Sequence, residues 1–302
     1  MGLVLLLLVA AVLVLALSTW ALVRSLRRPP RKTWARALAR GLATEPAELG
    51  LEAREHAFRL PDGSTTPGWI IAGGQPDGPS VVIVHGFADS RYGALTWLDR
   101  VIDHAAAVVL FDLPGHGEAQ ASATGLGTRE PADVLAVVDE LAAMTAGRPA
   151  VLYGYSLGAS IAIGAAALDA VREHRAIAGV IADGPYARWH EPVYRTVRRR
   201  RYPAGLLTAL AGLVFRATLP GLARIDRARD AAALQCPLLV LHGCNDEICP
   251  LASAERIVEA APRGRLVSFD EGCHLDLAVC DPDRYREAVA WLFAKIATIE
   301  HE

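Results

Sequence analysis

Ser156 is the residue whose neighbours best prepare it for covalent chemistry. It stands in Gly154-Tyr155-Ser156-Leu157-Gly158, the Gly-x-Ser-x-Gly spacing of a serine nucleophile. An apolar run at 151–153 precedes it and a small-residue stretch at 159–165 follows, so the pattern predicts a strand, a sharp turn and a helix. The flanking glycines let neighbouring backbones approach a strained turn without a Cβ clash. The spacing therefore indicates acyl transfer through a serine hydroxyl.

A serine hydroxyl needs a general base, and the chain order of this motif predicts a late histidine. His274 follows the last predicted strand, within Glu271-Gly272-Cys273-His274-Leu275. His242 stands at a strand end before Gly243 and is interpreted as a structural turn residue. We therefore expect His274 to take the proton of Ser156.

The acid that orients this histidine is expected in the loop after the penultimate strand. Asp246 lies in that loop, within residues 242–250, and is the favoured candidate. Glu247 in the same loop and Asp183 after the preceding strand remain alternatives. The acid would accept the Nδ1 proton of His274 and stabilise the imidazolium.

Two backbone N–H groups are needed to hold the oxyanion of the reaction. One is expected from Leu157, which follows the nucleophile at a helix N-terminus. The other is expected from the loop after the third strand, where His85-Gly86-Phe87 stands. Because Gly86 permits the bend, the amide of Phe87 is the predicted second donor.

Five short motifs occur together in one order along the chain. They are His85-Gly86-Phe87, Asp-x-Pro-Gly-His-Gly at 112–117, Gly-Tyr-Ser-Leu-Gly at 154–158, Gly-x-x-Asp at 243–246 and the late His274. Over residues 55–298 the chain thereby resembles the α/β-hydrolase-fold serine hydrolases, in particular membrane-anchored members and the esterase, lipase and aminopeptidase-like branch. The resemblance implies an eight-stranded, mostly parallel sheet with helices on both faces and a helical cap after strand six. A serine at the elbow argues against the branches that use an aspartate nucleophile.

The resemblance and the residues together predict a serine hydrolase of carboxylic esters, with a small acyl or lipid-like substrate and neither cofactor nor metal. A peptidase or an acyltransferase with the same triad is the alternative, since the fold does not specify the leaving group. A non-catalytic binding or scaffold protein is the alternative from another class. His85, Tyr155 and Tyr186 are candidates for the substrate pocket, with a structural role as the alternative for the first two.

The elements that must position these residues alternate along the chain. A hairpin is predicted around the turn at 61–64, and short apolar runs then alternate with helical stretches, which is typical of a parallel sheet covered on both faces. In such sheets functional loops collect at the carboxyl ends of the strands. The predicted strands are 55–60, 68–72, 80–84, 106–111, 150–153, 177–182, 237–241 and 265–269, and the predicted helices are 94–104, 130–145, 157–170, 251–261 and 283–298.

One segment is too long for a plain crossover between strands. It lies between residues 182 and 237 and contains Arg198-Arg199-Arg200-Arg201, followed by the apolar run 203–222. We interpret about 188–235 as a helical cap insertion. The pairing of a basic run with an apolar helix suits a membrane surface, so Arg198, Arg199, Arg200 and Arg201 are predicted to face anionic lipid. A cap that only shields a pocket for small soluble esters is the alternative.

The first 23 residues are apolar enough to cross a bilayer as one helix. Seven basic residues and no acid follow between 24 and 40, which predicts a single-pass anchor with the remainder in the cytoplasm. A cleaved signal peptide is the alternative, with a weak Ala-x-Ser site at 16–18. The predicted organisation is an anchor at 1–23, a basic linker at 24–50 and a hydrolase domain at 51–302.

Composition limits the other possibilities. The net charge of −2 argues against a dedicated nucleic-acid binder, and 21% charged residues with 52% hydrophobic residues exclude a disordered chain. Between 188 and 229 ten arginines face only two acids, so positive charge concentrates in the linker and the cap. The odd number of cysteines (five) is interpreted as free thiols, with a Cys244–Cys273 disulfide as the alternative.

Overall fold

A computed structural model describes residues 1–172 and 175–299 of the chain. Its centre is an eight-stranded sheet with the order β1-β2-β4-β3-β5-β6-β7-β8. β2 pairs antiparallel with β1 and β4, and all other neighbours are parallel. The strands are β1 (Ala53–Arg59), β2 (Thr65–Ala72), β3 (Ser80–Val84), β4 (Ala107–Phe111), β5 (Ala150–Tyr155), β6 (Ile177–Asp183), β7 (Leu238–Gly243) and β8 (Gly264–Phe269). The predicted fold class is confirmed.

Helices cover both faces of this sheet. Because β3, β5 and β7 are buried throughout, their apolar side chains feed two separate hydrophobic cores, one on each face. The helices are α1 (Gly2–Arg27), α2 (Trp34–Leu38), α3 (Arg91–Ala94), α4 (Glu130–Met144), α5 (Leu157–Asp169), α6 (His190–Arg199), α7 (Ala204–Thr218), α8 (Arg227–Ala232), α9 (Leu251–Ala260), α10 (Leu277–Cys280) and α11 (Pro282–Ile299).

The predicted continuous helix over 94–104 is wrong. Only α3 is α-helical there, and 3₁₀ turns at Leu95–Arg100 and Ile102–His104 follow it. The Thr96 hydroxyl donates to the carbonyl oxygen of Gly93 at 2.8 Å. A local side-chain bond of this kind competes with the regular α-helical pattern, which accounts for the tighter winding.

The cap follows β6, as predicted, and consists of α6 and α7. Its own small cores contain Val197, Leu207 and Phe215. The final part of the predicted insertion behaves differently, because α8 packs against α5 and α9, and its Ala231 belongs to the main core. The independent part of the cap therefore ends before α8. The predicted domain end at residue 302 lies outside the described residues.

The N-terminal helix α1 is the one described helix that is long and apolar enough to cross a membrane, a criterion that an N-terminal signal sequence also meets. Its first half is exposed on all sides, whereas its second half packs beside α7. At the end of the helix, the amide of Thr124 donates to the carbonyl oxygen of Arg27 at 2.9 Å, and beyond it Lys32 forms an ion pair with Asp89. The segment after α1 is thus fastened to loops at the carboxyl edge of the sheet.

Candidate active site

The turn between β5 and α5 carries Ser156 in a backbone conformation that side chains rarely adopt. Its φ is 54° and its ψ is −115°. A Cβ on Gly158 would lie 1.8 Å from the carbonyl oxygen of Val84, and one on Gly154 would lie 2.2 Å from the carbonyl oxygen of Gly158. Only glycine fits these two positions, so the turn depends on the spacing found in the sequence.

Three side chains from three loops meet at this turn. Nε2 of His274 lies 3.0 Å from Oγ of Ser156, and Nδ1 of His274 lies 2.7 Å from Oδ2 of Asp246. Asp246 follows β7 and His274 follows β8, so both reach the carboxyl edge beside the elbow. The chain of hydrogen bonds runs from carboxylate to imidazole to hydroxyl, which is the geometry for removing the serine proton.

The surroundings of Asp246 favour its ionised form. Burial alone would raise the pKa of its carboxyl group, but the hydrogen bond and charge of His274 together with backbone amides hold that pKa below its usual value. The amides of Ile248 and Cys249 both donate to Oδ1, at 2.7 and 2.8 Å. Arg195 of the cap donates to the Asp246 carbonyl oxygen at 2.9 Å and thereby ties the cap to this loop.

The two alternative acids are engaged elsewhere. Glu247 is exposed and forms an ion pair with Arg199 at 3.0 Å. Asp183 is buried and accepts a hydrogen bond from the Tyr285 hydroxyl at 2.7 Å, and its burial raises its pKa to about 6. Its backbone serves the site, however, because the Asp183 carbonyl oxygen accepts from the Ser156 amide at 2.8 Å.

The two predicted oxyanion donors come from the elbow itself and from the loop after β3. Leu157 is the first residue of α5, where backbone amides have no acceptor within the helix. Within residues 1–172 and 175–299, the amide of Phe87 donates to no protein acceptor. Both residues line the cavity described below together with Ser156. Two free amides beside a nucleophile can donate hydrogen bonds to the anionic oxygen of a tetrahedral intermediate.

His85 does not line that cavity, in contrast to its prediction as a pocket candidate. It is fully buried, because its ring joins two loops: the Leu113 amide donates to Nε2 at 3.0 Å, and Nδ1 lies 2.8 Å from the Gly86 carbonyl oxygen. Nε2 must therefore be the unprotonated nitrogen, in agreement with burial lowering the pKa of this imidazole. His85 fixes the loop that carries the Phe87 amide.

Tyr155 is likewise absent from the cavity lining, whereas Tyr186 is part of it. The Tyr155 ring stacks on Trp97 with 4.1 Å between the ring centroids, and its hydroxyl donates to Asp89 at 3.1 Å. Tyr155 shares a face of β5 with the buried Tyr153, so alternation along the strand directs its side chain into the core. The prediction of Tyr155 as a pocket residue is corrected accordingly.

A cavity of about 640 Å³ opens onto Ser156. Its wall is mostly apolar and has three sources: the sheet edge, the cap and α1. The lining residues are Ser18, Ala21, Leu22, Ser25, Leu26, Pro30, Phe87, Leu126, Ser156, Leu157, Tyr186, Trp189, Pro192, Val193, Thr196, Val197, Arg200, Tyr202, Leu207 and Ile248. Its volume lies within the range of small-molecule sites.

Sequence reasoning missed two groups of site residues. The first is the α1 wall, whose only signal is the small-residue positions Ser18, Ala21 and Ser25 within a long aliphatic helix. The second is Cys249, whose sulfur lies within 4.8 Å of ligand atoms of both Asp246 and His274. Asp246 and His274 of this group are hydrogen-bonded to each other. Burial also raises the pKa of the Cys249 thiol well above its usual value.

The four consecutive arginines of the cap have separate surroundings. All four are exposed, but Arg199 is paired with Glu247 and Arg200 lies at the cavity wall. Among the described residues, Arg198 and Arg201 have neither a salt bridge nor a place in the cavity wall. All five cysteines are free, including Cys244 and Cys273.

Comparison with known proteins agrees with this architecture. Residues 81–290 match the model of the alpha/beta hydrolase family. An uncharacterized protein, YqkD of Bacillus subtilis, is 28% identical over 217 residues, which cover 67% of each chain. The Pyrococcus furiosus esterase Pf2001 superposes with a TM-score of 0.70 at 20% identity, covering 89% of this chain and 98% of the esterase.

A thermophilic esterase from Thermogutta terrifontis superposes with a TM-score of 0.57 at 22% identity, covering 81% of this chain and 99% of that one. At such identities the superpositions establish a common fold. The family match covers more than half of the sequence and confirms the resemblance found in the motifs. The chain belongs to the alpha/beta hydrolase family.

Proposed function

We propose that this hydrolase cleaves carboxylic esters through an acyl-enzyme on Ser156. The supporting observation is the continuous hydrogen-bond chain from Asp246 through His274 to the Ser156 hydroxyl at the wall of an apolar cavity. Nε2 of His274 takes the hydroxyl proton as Oγ attacks the ester carbonyl. The carboxylate of Asp246 holds the tautomer with a proton on Nδ1 and stabilises the imidazolium.

The amides of Phe87 and Leu157 hold the tetrahedral oxyanion. When that intermediate collapses, the imidazolium of His274 gives its proton to the departing alcohol and an acyl-Ser156 ester remains. A water molecule then loses a proton to His274 and attacks the acyl carbonyl. The carboxylic acid leaves, and the proton returns to Ser156.

The cavity lining favours an acyl substrate over a peptide. Leu126, Trp189 and Ile248 line the same cavity as Ser156, and Arg200 is the one charged side chain among the described lining residues. An apolar chain gains free energy from such a wall, whereas peptide N–H and C=O groups would lose hydrogen bonds to water there.

Graded p-nitrophenyl esters, compared with aminoacyl p-nitroanilides, test this proposal in the full-length protein. We expect ester hydrolysis that rises with acyl length and disappears in Ser156→Ala. Cleavage of the anilides alone would replace the esterase proposal by a peptidase. Ester turnover retained in Ser156→Ala would remove Ser156 from the mechanism.

We further propose that α1 is retained as a single-pass anchor and that the hydrolase domain lies in the cytoplasm. The exposed apolar first half of α1 and the basic residues that follow it support this orientation. Leu15 packs against the cap core around Leu207 and Ser18 lines the cavity, so cleavage after Ser18 would remove both contacts.

The exposed thiols of Cys244, Cys273 and Cys280 provide natural reporters of this orientation. A membrane-impermeant maleimide should label them only after the cells are lysed, and the intact mass should include residues 2–23. Labelling of intact cells would contradict the orientation. A mature chain that begins after residue 18 would contradict the anchor.

A further inference from the structure

The second half of α1 forms one wall of the cavity in front of Ser156. The residues that it contributes are Ser18, Ala21, Leu22, Ser25 and Leu26. Their spacing is that of a single helix face. We propose that this face binds the acyl chain of a membrane-borne ester and limits its length, so that the anchor is part of the substrate site. This inference rests on the proposed function and names its substrate class.

A neighbouring face of α1 holds the wall in place. Thr19 is buried, Leu15 packs against the cap core around Leu207, and Val23 packs against the core around Phe215. The helix cannot rotate about its axis without breaking these contacts. The cavity-facing residues of α1 therefore have a fixed position relative to Ser156.

The length of α1 that the bilayer covers places this wall at the membrane surface. Residues 2–14 are exposed on all sides, but they span only about 20 Å, less than the hydrocarbon core of about 30 Å. The membrane must therefore extend to Trp20, an exposed aromatic residue of the kind that lies at the membrane–water interface. Ser18 and Ala21 of the cavity wall lie at the same level.

The cap helix beside α1 adds a second apolar surface at this level. α7 packs along α1 and exposes Leu206, Leu213 and Val214. An acyl chain leaving the bilayer thus meets apolar side chains from both helices before it reaches the nucleophile. For a probe that enters from water, each methylene that such a wall buries favours binding about fourfold.

A large side chain that extends from this wall into the cavity tests the inference in the full-length protein. Ala21→Trp places a large ring in the cavity, and Ala16→Trp makes the same change at an exposed α1 position outside the lining. The readout is the rate at which fluorophosphonates with ethyl or dodecyl chains label Ser156. This readout depends on the nucleophile and the cavity and does not depend on the natural leaving group.

We expect Ala21→Trp to lower the dodecyl-to-ethyl rate ratio at least about tenfold, and Ala16→Trp to leave it within about twofold. An unchanged ratio in Ala21→Trp would overturn the inference. If that variant loses ethyl labelling as well, Ser25→Phe on the same face repeats the test with the same criterion. Normal chain-length-dependent labelling without ester hydrolysis would refute the proposed function, while α1 would remain the wall that limits chain length.

Discussion

The cavity has two sides that are built in different ways. On the sheet side, Ser156, Asp246 and His274 are held by buried strands, close-packed glycines and a continuous set of hydrogen bonds. On the other side, the cap and α1 meet through small apolar cores and leave many leucines exposed. On the first side a single added methyl group would overlap neighbouring atoms, whereas the second side tolerates changes in side-chain size. We infer that the sheet side determines the chemistry and the cap side selects the substrate.

The largest expected effects arise on the sheet side. Ser156→Ala and His274→Ala should each lower kcat by about 10⁴-fold or more, because each removes the nucleophile or its base. Asp246→Asn should lower kcat by about 10⁴-fold, because the amide favours the wrong tautomer of His274. Steady-state ester kinetics together with the circular dichroism spectrum would check this. A variant that keeps its fold and a tenth of its activity would contradict the assigned role.

A pair of glycine variants compares the two sides directly. Gly158→Ala should cost about 1–3 kcal/mol or more and abolish fluorophosphonate labelling, because its methyl group would overlap the Val84 carbonyl oxygen. A methyl group added at Gly205 of α7 would have no neighbouring atom within 4 Å, so Gly205→Ala should stabilise the helix by about 0.5–1 kcal/mol. Thermal unfolding measures both. Equal effects of the two variants would remove the contrast between rigid and tolerant sides.

Trp189→Ala should alter substrate selection without altering the chemistry. The Trp189 ring lines the cavity and packs edge-on against Phe215, with 5.3 Å between the ring centroids. Its loss should raise KM for long-chain esters about tenfold and leave kcat nearly unchanged. A fall in kcat with constant KM would instead link the cap to the chemical step.

Arg198 and Arg201 of the basic run should act on membrane binding, since neither lines the cavity or forms a salt bridge among the described residues. Replacing Arg198 and Arg201 by glutamine should weaken binding of the cap to anionic vesicles about fivefold for each arginine. Full-length protein in nanodiscs with and without phosphatidylserine, with Arg54→Gln on the edge strand β1 as control, would measure this as a lipid-dependent change in KM. An equal response of the control would assign the effect to net charge.

A pH-dependent contribution to stability should come from Asp133, a buried residue of α4. Burial, together with the nearby charge of Glu130, raises the pKa of Asp133 to about 7. Because the unfolded chain ionises this group near its ordinary pKa of 3.8, the folded state loses stability as the pH rises from about 4 to 7. Asp133→Asn should therefore raise Tm by roughly 2–4 °C at pH 8 and by less at pH 4. A larger gain at pH 4 would reverse the sign of this argument.

The sequence predicted the structure where a local pattern follows directly from a physical rule. Buried parallel strands have continuous apolar runs, and a nucleophile elbow needs glycines at fixed positions, so the sheet and the Ser156 turn could be predicted from local patterns. The pairing of His274 with Asp246 rather than Asp183 depends on loops far apart in sequence, and only chain order favoured it. The inward direction of Tyr155 and the bridging role of His85 arise from tertiary packing. The α1 wall was missed because its aliphatic residues suit lipid and protein equally.

Locating a trapped acyl or phosphonyl group by peptide mass spectrometry tests the central claim most directly. The account predicts one adduct per chain, on Ser156, formed rapidly in the full-length protein, slowly in His274→Ala and not at all in Ser156→Ala. An adduct on another residue, or a folded protein that forms none, would contradict it.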